Sequence, residues 1–152
     1  MARVSTILDA VRSALNGMTV TGYQQGLSLD LDETLTGDLI DHQHHVGHLV
    51  YKVEPTETTG IERGDGTDGV QTSIEVQVMY RLREHLGSGG KETDIDGARD
   101  LAEDIASTIA DLDDTGGDWT LRYVRHAIQG PNDQQTAVVI RCTFQAVHQL
   151  GA

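Results

Sequence analysis

The chain has 152 residues, of which 38% are hydrophobic, and its 24 acidic and 11 basic residues give a formal net charge of −13 at pH 7. This length predicts one domain, residues 1–152, with a single hydrophobic core. No apolar run approaches the roughly 20 residues that span a bilayer, and charges interrupt the N-terminal apolar residues, so we expect a soluble, unprocessed, intracellularly made protein. The acidic surface argues against nucleic-acid binding, which depends on Lys and Arg displacing counterions.

Two further features of the composition constrain the chain. Its acids are mostly Asp, and Lys52 and Lys91 are its only lysines. This bias is typical of a protein adapted to high salt and equally of an ordinary solvated acidic surface. The single cysteine, Cys142, excludes an intramolecular disulfide and lies in an apolar run, so we expect a buried, reduced thiol.

The first predicted element is an amphipathic helix that ends near Asn16 and Gly17. Its apolar residues share one helical face: Val4, Ile7, Leu8, Val11, Leu15 and Met18. A short strand is predicted within residues 23–31, where leucines alternate with polar residues, and another within about 47–53. The polar segment that follows, at about 54–69, is predicted to be a long exposed loop, which is either functional or ordered by a partner.

The clearest pattern in the chain is the strict alternation of residues 70–82, which predicts a long strand with one covered face. We expect its even-numbered side chains to be buried under the helices. Its odd-numbered face is the first place where we expect contact with a neighbouring molecule, through Gln71, Glu75, Gln77 and Arg81.

The C-terminal half continues with a second amphipathic helix over residues 95–112, capped by Thr93 or Asp94. Residues 119–128 and 136–150 then predict an antiparallel hairpin. This order of elements predicts an α+β fold: a two-layer sandwich with a mostly antiparallel sheet and two helices packed on one face.

A histidine cluster is the one constellation that suggests chemistry. His42, His44 and His48 share a side of an extended chain and could hold a metal, although their spacing matches no known ligand frame. Acidic pairs are too abundant to single out a catalytic dyad, and no nucleotide-binding or serine-hydrolase motif is present. We therefore predict no catalytic residue, no cofactor and no resident metal, and we keep a small metal-binding protein or enzyme as the alternative from another class.

Several arginines lie in the strand-forming C-terminal half, among them Arg81, Arg122, Arg125 and Arg141. They either cover the open face of the sheet or meet an acidic neighbour, and that neighbour could be another copy of this chain. Together with Gln71, Glu75 and Gln77 they form the set of candidate interface residues.

The chain resembles the tail terminator, or minor tail completion, proteins of long-tailed viruses in its element order and hydrophobic pattern. The similar parts are ILDAVRSALNG, HLVYKVEPTETTG, VQTSIEVQVMYRL, DIDGARDLAEDIASTIADL, WTLRYVRHAIQG and TAVVIRCTFQAVHQL, which cover most of the chain. The region between about Met18 and Gly47 departs from the short connection typical of that family.

This resemblance implies a structural virion protein, assembled in the host cytoplasm and located at the head-tail junction. Its partners would be copies of itself in a ring, commonly a hexamer, the tail tube protein and the head-neck connector, with no membrane and no sequence-specific nucleic acid. DNA would pass through the ring along an acidic wall. A different neck or head-completion connector protein is the alternative within the virion.

Overall fold

The computed structural model describes residues 4–18, 27–30, 49–61, 69–81, 90–112, 119–130 and 137–149. Two helices and five strands lie within these ranges. Their bounds, in chain order, are α1 Val4–Asn16, β1 Leu27–Asp30, β2 Leu49–Ile61, β3 Gly69–Arg81, α2 Gly90–Ala110, β4 Thr120–Gln129 and β5 Ala137–Gln149.

The five strands form one sheet in the order β1-β2-β3-β5-β4. The β2–β3, β3–β5 and β4–β5 pairs are antiparallel, and the short β1 lies parallel to β2. Residues from both helices belong to one core cluster with the inner side chains of the sheet. The predicted fold, a two-layer α+β sandwich with a mostly antiparallel sheet and helices on one face, is confirmed.

Strand β3 has two different faces because successive side chains of a strand point to opposite sides. Its even-numbered residues are buried, as expected: Val70, Thr72, Ile74, Val76, Val78 and Tyr80. Those from Ile74 to Tyr80 belong to the core cluster that the sheet shares with the helices. On the adjacent β5 the same face carries Val138, Ile140, Cys142, Phe144 and Ala146. Full burial of one such Val, Ile or Phe side chain contributes roughly 1.5–3 kcal/mol to the stability of the fold. These two strands therefore supply most of the sheet's part of the hydrophobic core.

The helices complete the core with the residues that their spacing predicts. Helix α1 buries Ile7, Leu8, Val11 and Leu15. Helix α2 buries Ala98, Leu101, Ala102, Ile105 and Ile109. The end of α1 is tied to the sheet because Tyr51 Oη on β2 donates a hydrogen bond of 2.7 Å to Asn16 Oδ1.

The predicted buried thiol of Cys142 is confirmed. Its Sγ lies under α2, 3.9 Å from the carbonyl oxygen of Ala102. Burial raises the pKa of this thiol to about 12, because the thiolate would lose its hydration inside the core.

Helix α2 begins earlier than the sequence indicates. Its first residue is Gly90, so Thr93 and Asp94 lie within the helix and the prediction that one of them caps it is wrong. The Gly- and Lys-containing start looks flexible in sequence, yet Lys and Glu are good helix formers and Gly is accepted at a helix start. Further along, a Cβ on Gly97 would lie 2.6 Å from Tyr80 Oη, so glycine lets α2 pack closely on β3.

The prediction of a long loop at 54–69 is largely wrong, because β2 extends to Ile61. From Thr58 to Ile61 it pairs with β3 in an extension of the sheet, and a one-residue bulge at Thr56 shifts the register before that point. Residues 55–60 are exposed, as expected. Residues on both faces of this extension are exposed, so its sequence shows no apolar alternation, although its threonines favour strand structure. Residues 62–68 of the predicted loop lie outside the described residues.

Within the described part of the chain, no helix is both long and apolar enough to cross a membrane.

Candidate interaction surface

The side of the sheet opposite the helices carries mainly polar side chains, and no described helix packs on it. We call this surface the open face, and in the register of the sheet it consists of Lys52, Glu54, Gln71, Ser73, Glu75, Gln77, Arg122, Arg125, Arg141, Thr143 and Gln145. The β3 and β5 members are half-buried by their neighbours, whereas the β4 members are exposed. At one end the polar character stops, because Met79 lies opposite Val50 and Val139 and is only 1% exposed.

The centre of the open face is an internally satisfied network around Glu75. Its Oε1 accepts hydrogen bonds from Arg141 Nη1 at 2.5 Å and from Gln77 Nε2 at 2.7 Å. Arg141 Nε also donates to Gln129 Oε1 on β4 at 2.9 Å. A carboxylate that accepts a guanidinium hydrogen bond is a strong, charge-assisted pair, so Arg141 is already engaged within its own chain.

This network also explains how the sheet tolerates two facing carboxylates. Glu54 on β2 lies directly opposite Glu75 on β3, and like charges in that position are destabilising. Lys52 Nζ lies 3.2 Å from Glu54 Oε2, while Arg141 neutralises Glu75. Each carboxylate therefore has its own cation.

The β4 edge of the open face is different. A regular strand would place Arg122 and Arg125 on opposite faces, because they are three residues apart. A bulge between Tyr123 and Arg125 shifts the register by one residue, so that the two arginines pair with Gln145 and Thr143, which both lie on the open face. Neither arginine is in an ion pair among the described residues.

The bulge also exposes apolar surface. Tyr123 and Val124, at 38% and 36% exposure, are the exposed large hydrophobic residues of the described chain. Tyr123 is oriented by its contacts: its hydroxyl lies 2.6 Å from His126 Nδ1, and its ring meets that of Phe144 edge-on with centroids 6.2 Å apart. The side chain is therefore held at the rim of the sheet while part of it remains accessible.

The structure brings together six of the seven candidate interface residues. Gln71, Glu75 and Gln77 share the open face with Arg122, Arg125 and Arg141. Arg81 ends β3 opposite Ala137, but its side chain lies outside the described residues. What these residues contact in an assembly stays a prediction.

A second charged surface lies on the other layer of the sandwich. The solvent side of α2 and the turn that follows it carry exposed acids at helical spacing: Asp96, Asp100, Glu103, Asp104 and Asp111. Its one basic residue in the same stretch, Arg99, pairs with Asp96 at 2.6 Å. The helix layer is therefore strongly acidic over α2, while the open face carries both signs of charge.

A buried chain of polar side chains, which the sequence analysis did not predict, lies near one end of the sheet. Thr72 Oγ1 lies 2.9 Å from Thr58 Oγ1 and 2.9 Å from His148 Nε2, and His148 is only 2% exposed. The available signal was position, since both Thr72 and His148 continue the buried alternation of their strands. Such a chain joins β2, β3 and β5 through side chains as well as through the backbone.

The histidine cluster His42, His44 and His48 lies outside the described residues. Among the residues that are described, no group of three or more His, Cys, Asp or Glu side chains is placed to hold a metal ion.

Neither a comparison with models of protein families nor a search of curated protein sequences found a match to this chain.

Proposed function

We propose that this protein is a structural subunit of a virus particle, a tail terminator that forms a closed ring on the end of the tail tube. The ring, a hexamer in this proposal, stops tube growth and presents its other side to the head-neck connector. The observation that carries the proposal is the one-sided covering of the sheet, which leaves a broad polar face and a basic edge strand available to other molecules.

The element order supports the same proposal. The resemblance to tail terminators implies an N-terminal helix, a strand that precedes a long variable loop, a long strand, an amphipathic helix and a final pair of antiparallel strands. The Thr-rich part of β2, residues 55–60, is an exposed projection that pairs with β3. In the proposed ring this projection would reach the tube or the next subunit.

A ring of identical subunits needs a head-to-tail contact, in which each copy uses two different surfaces and the rotation between copies closes. The two layers of this sandwich differ in charge, which favours contacts of that kind over contacts between like surfaces. The remaining acidic surface could line the bore, because it would repel the phosphates of passing DNA.

The assembly state, alone and on the tube, tests the proposal. The purified protein would be examined by native mass spectrometry and by negative-stain electron microscopy, with and without polymerising tail tube protein from the same virus. We expect six-fold rings at the ends of tubes, and tubes that stop elongating when the protein is added. Tube protein alone, which should keep elongating, is the control.

Two outcomes would contradict the proposal. A twelve-fold ring that does not bind tube ends would favour a connector protein of the neck. A protein that leaves tube growth unchanged at all concentrations would remove the terminator function altogether.

A further inference from the structure

The most distinctive feature of the accessible surface is a four-residue patch on β4. We call Arg122, Tyr123, Val124 and Arg125 the edge patch, and all four are exposed. Arg and Tyr are enriched among the residues that dominate the binding energy of protein interfaces. Here they surround a bulge on an edge strand, whose outer side is not paired with any described strand.

Among the described residues, the charges of the edge patch have no ion-pair partner. The acids nearest in the open-face network, Glu75 and Glu54, are occupied by Arg141 and Lys52. The bulge places Arg122 and Arg125 on one face, where their like charges repel each other, although a regular strand would separate them. The sheet thus gathers two cations that its own described residues do not neutralise.

The matching surface is on α2 and the turn that follows it. We call Asp100, Glu103, Asp104 and Asp111 the helix row, and all four are exposed. Within the described part of the chain none of them is in an ion pair, since the one cation of this stretch, Arg99, is bound to Asp96. Acids at i and i+4, such as Asp100 and Asp104, repel each other on a helix.

One copy cannot join these two surfaces. Helix α2 packs on the inner side of the sheet, whereas Arg122 and Arg125 lie on its outer side. The sheet itself therefore separates the helix row from the arginines. A second copy has no such constraint, and it offers four acids to two arginines.

We propose that the edge patch of one copy docks onto the helix row of the next copy. The arginines form ion pairs with the acids, while Val124 at the bulge and Tyr123, which lies on the helix side of the same edge opposite Phe144, add apolar contact along β4. Because the two surfaces differ, the contact is head-to-tail and repeats from copy to copy. Closure of the repeat into a six-fold ring rests on the proposed function, but the contact itself does not.

A charge swap tests this contact. The strand variant carries Arg122→Glu and Arg125→Glu, and the helix variant carries Asp100→Arg and Asp104→Arg. Each variant alone brings like charges together, so we expect its self-association constant, measured by sedimentation velocity at constant salt, to weaken at least about tenfold. Both variants should unfold in urea as cooperatively as the unmodified chain.

An equimolar mixture of the two variants is the decisive sample. In alternating order, the acidic strand of one variant meets the basic helix of the other, and the unchanged strand meets the unchanged helix. We expect the mixture to recover the assembly of the unmodified protein, with equal numbers of the two variants in each particle by native mass spectrometry. A control variant with Ser5→Arg, Asp9→Arg and Ser13→Arg changes the net charge by +4, as the helix variant does, at exposed positions of α1, and it should assemble normally.

The outcomes separate this contact from the proposed function. Unaltered assembly of the single variants, or no recovery in the mixture, overturns the contact even if the protein caps tubes. The expected swap pattern in a protein that does not cap tubes supports the contact and removes the terminator function. A strand variant that self-associates normally but no longer binds tube ends would assign the edge patch to the tube protein and overturn the proposal.

Discussion

Strands β3 and β4 belong to the same sheet but differ in their pairing and in the exposure of their side chains. β3 is paired on both sides along nearly its whole length, alternates without interruption and sends every even-numbered residue from 70 to 80 into the core. β4 is paired on one side, is interrupted by a bulge and leaves most of its residues exposed. The central strand therefore contributes to the stability of its own chain, while the edge strand carries exposed charges that have no ion-pair partner among the described residues.

The polar residues of the open face show the same difference. Glu75 and Arg141 satisfy each other across β3 and β5, whereas Arg122 and Arg125 on β4 have no carboxylate among the described residues. Exposure and charge alone would rank these residues together. Their partners divide them into a structural group and a group available for binding.

The largest expected effect tests the covered face of the central strand. Ile74→Ala should lower the free energy of unfolding by about 2–5 kcal/mol, because it removes a fully buried side chain and leaves a cavity. Ser73→Ala, the adjacent residue on the open face, should change it by less than about 0.5 kcal/mol. Urea unfolding, followed by the fluorescence of the single tryptophan Trp119, measures both. Equal losses for the two variants would contradict the assignment of faces.

A smaller loss is expected from the buried polar chain. Thr72→Val keeps the shape of the side chain but removes the hydroxyl between Thr58 and His148, so we expect a cost of about 1–3 kcal/mol. Thr58→Val removes an exposed hydroxyl and leaves the Thr72–His148 bond in place, so it should cost clearly less. If Thr58→Val lost more unfolding free energy than Thr72→Val in the same urea assay, Thr72 would not be the central member of the buried polar chain.

The smallest effects are expected from the same substitution, Arg to Gln, made at two places on the open face. Arg141→Gln removes the cation bound to Glu75 and should cost about 1 kcal/mol, since both groups are partly exposed and solvent screens the pair. Arg122→Gln should change the stability of the isolated chain by less than about 0.5 kcal/mol. Chemical unfolding at a concentration where the protein is monomeric gives both values. Equal costs would mean that the edge arginine also has a role within its own chain.

The sequence was most informative where one face of an element is covered. The alternation of β3 and β5 and the apolar spacing of both helices come directly from burial, so the two-layer fold and nearly all of its core residues could be predicted. The extension of β2 past Val53 could not be predicted in this way, because its residues 55–60 are exposed and burial therefore leaves no apolar pattern there. Its threonines were the only signal, and a preference for strands without periodicity is weak evidence.

The edge patch could be predicted only in part. The exposed arginines of β4 were visible as charges, but strict alternation would have sent Arg122 and Arg125 to opposite faces. The apolar residues of β4 contradict strict alternation, since Leu121 and Ile128 both face the helices although one number is odd and the other even. That conflict is the sequence signature of a bulge, and it becomes meaningful only once the partner strand is known.

Both bulges have a consequence for how this sequence is aligned and altered. In β2 the residues on the helix side of the sheet have odd numbers up to Pro55 and even numbers from Thr58, and in β4 the same change of phase occurs between Tyr123 and His126. Loss of the extra residue at position 56 or 124 would therefore restore regular alternation and leave the remaining residues on their present faces, whereas loss of one residue elsewhere in the paired part of either strand would exchange the two faces beyond it. In any comparison with related chains, a gap at position 56 or 124 is thus compatible with the same sheet, and a gap elsewhere in these strands is not.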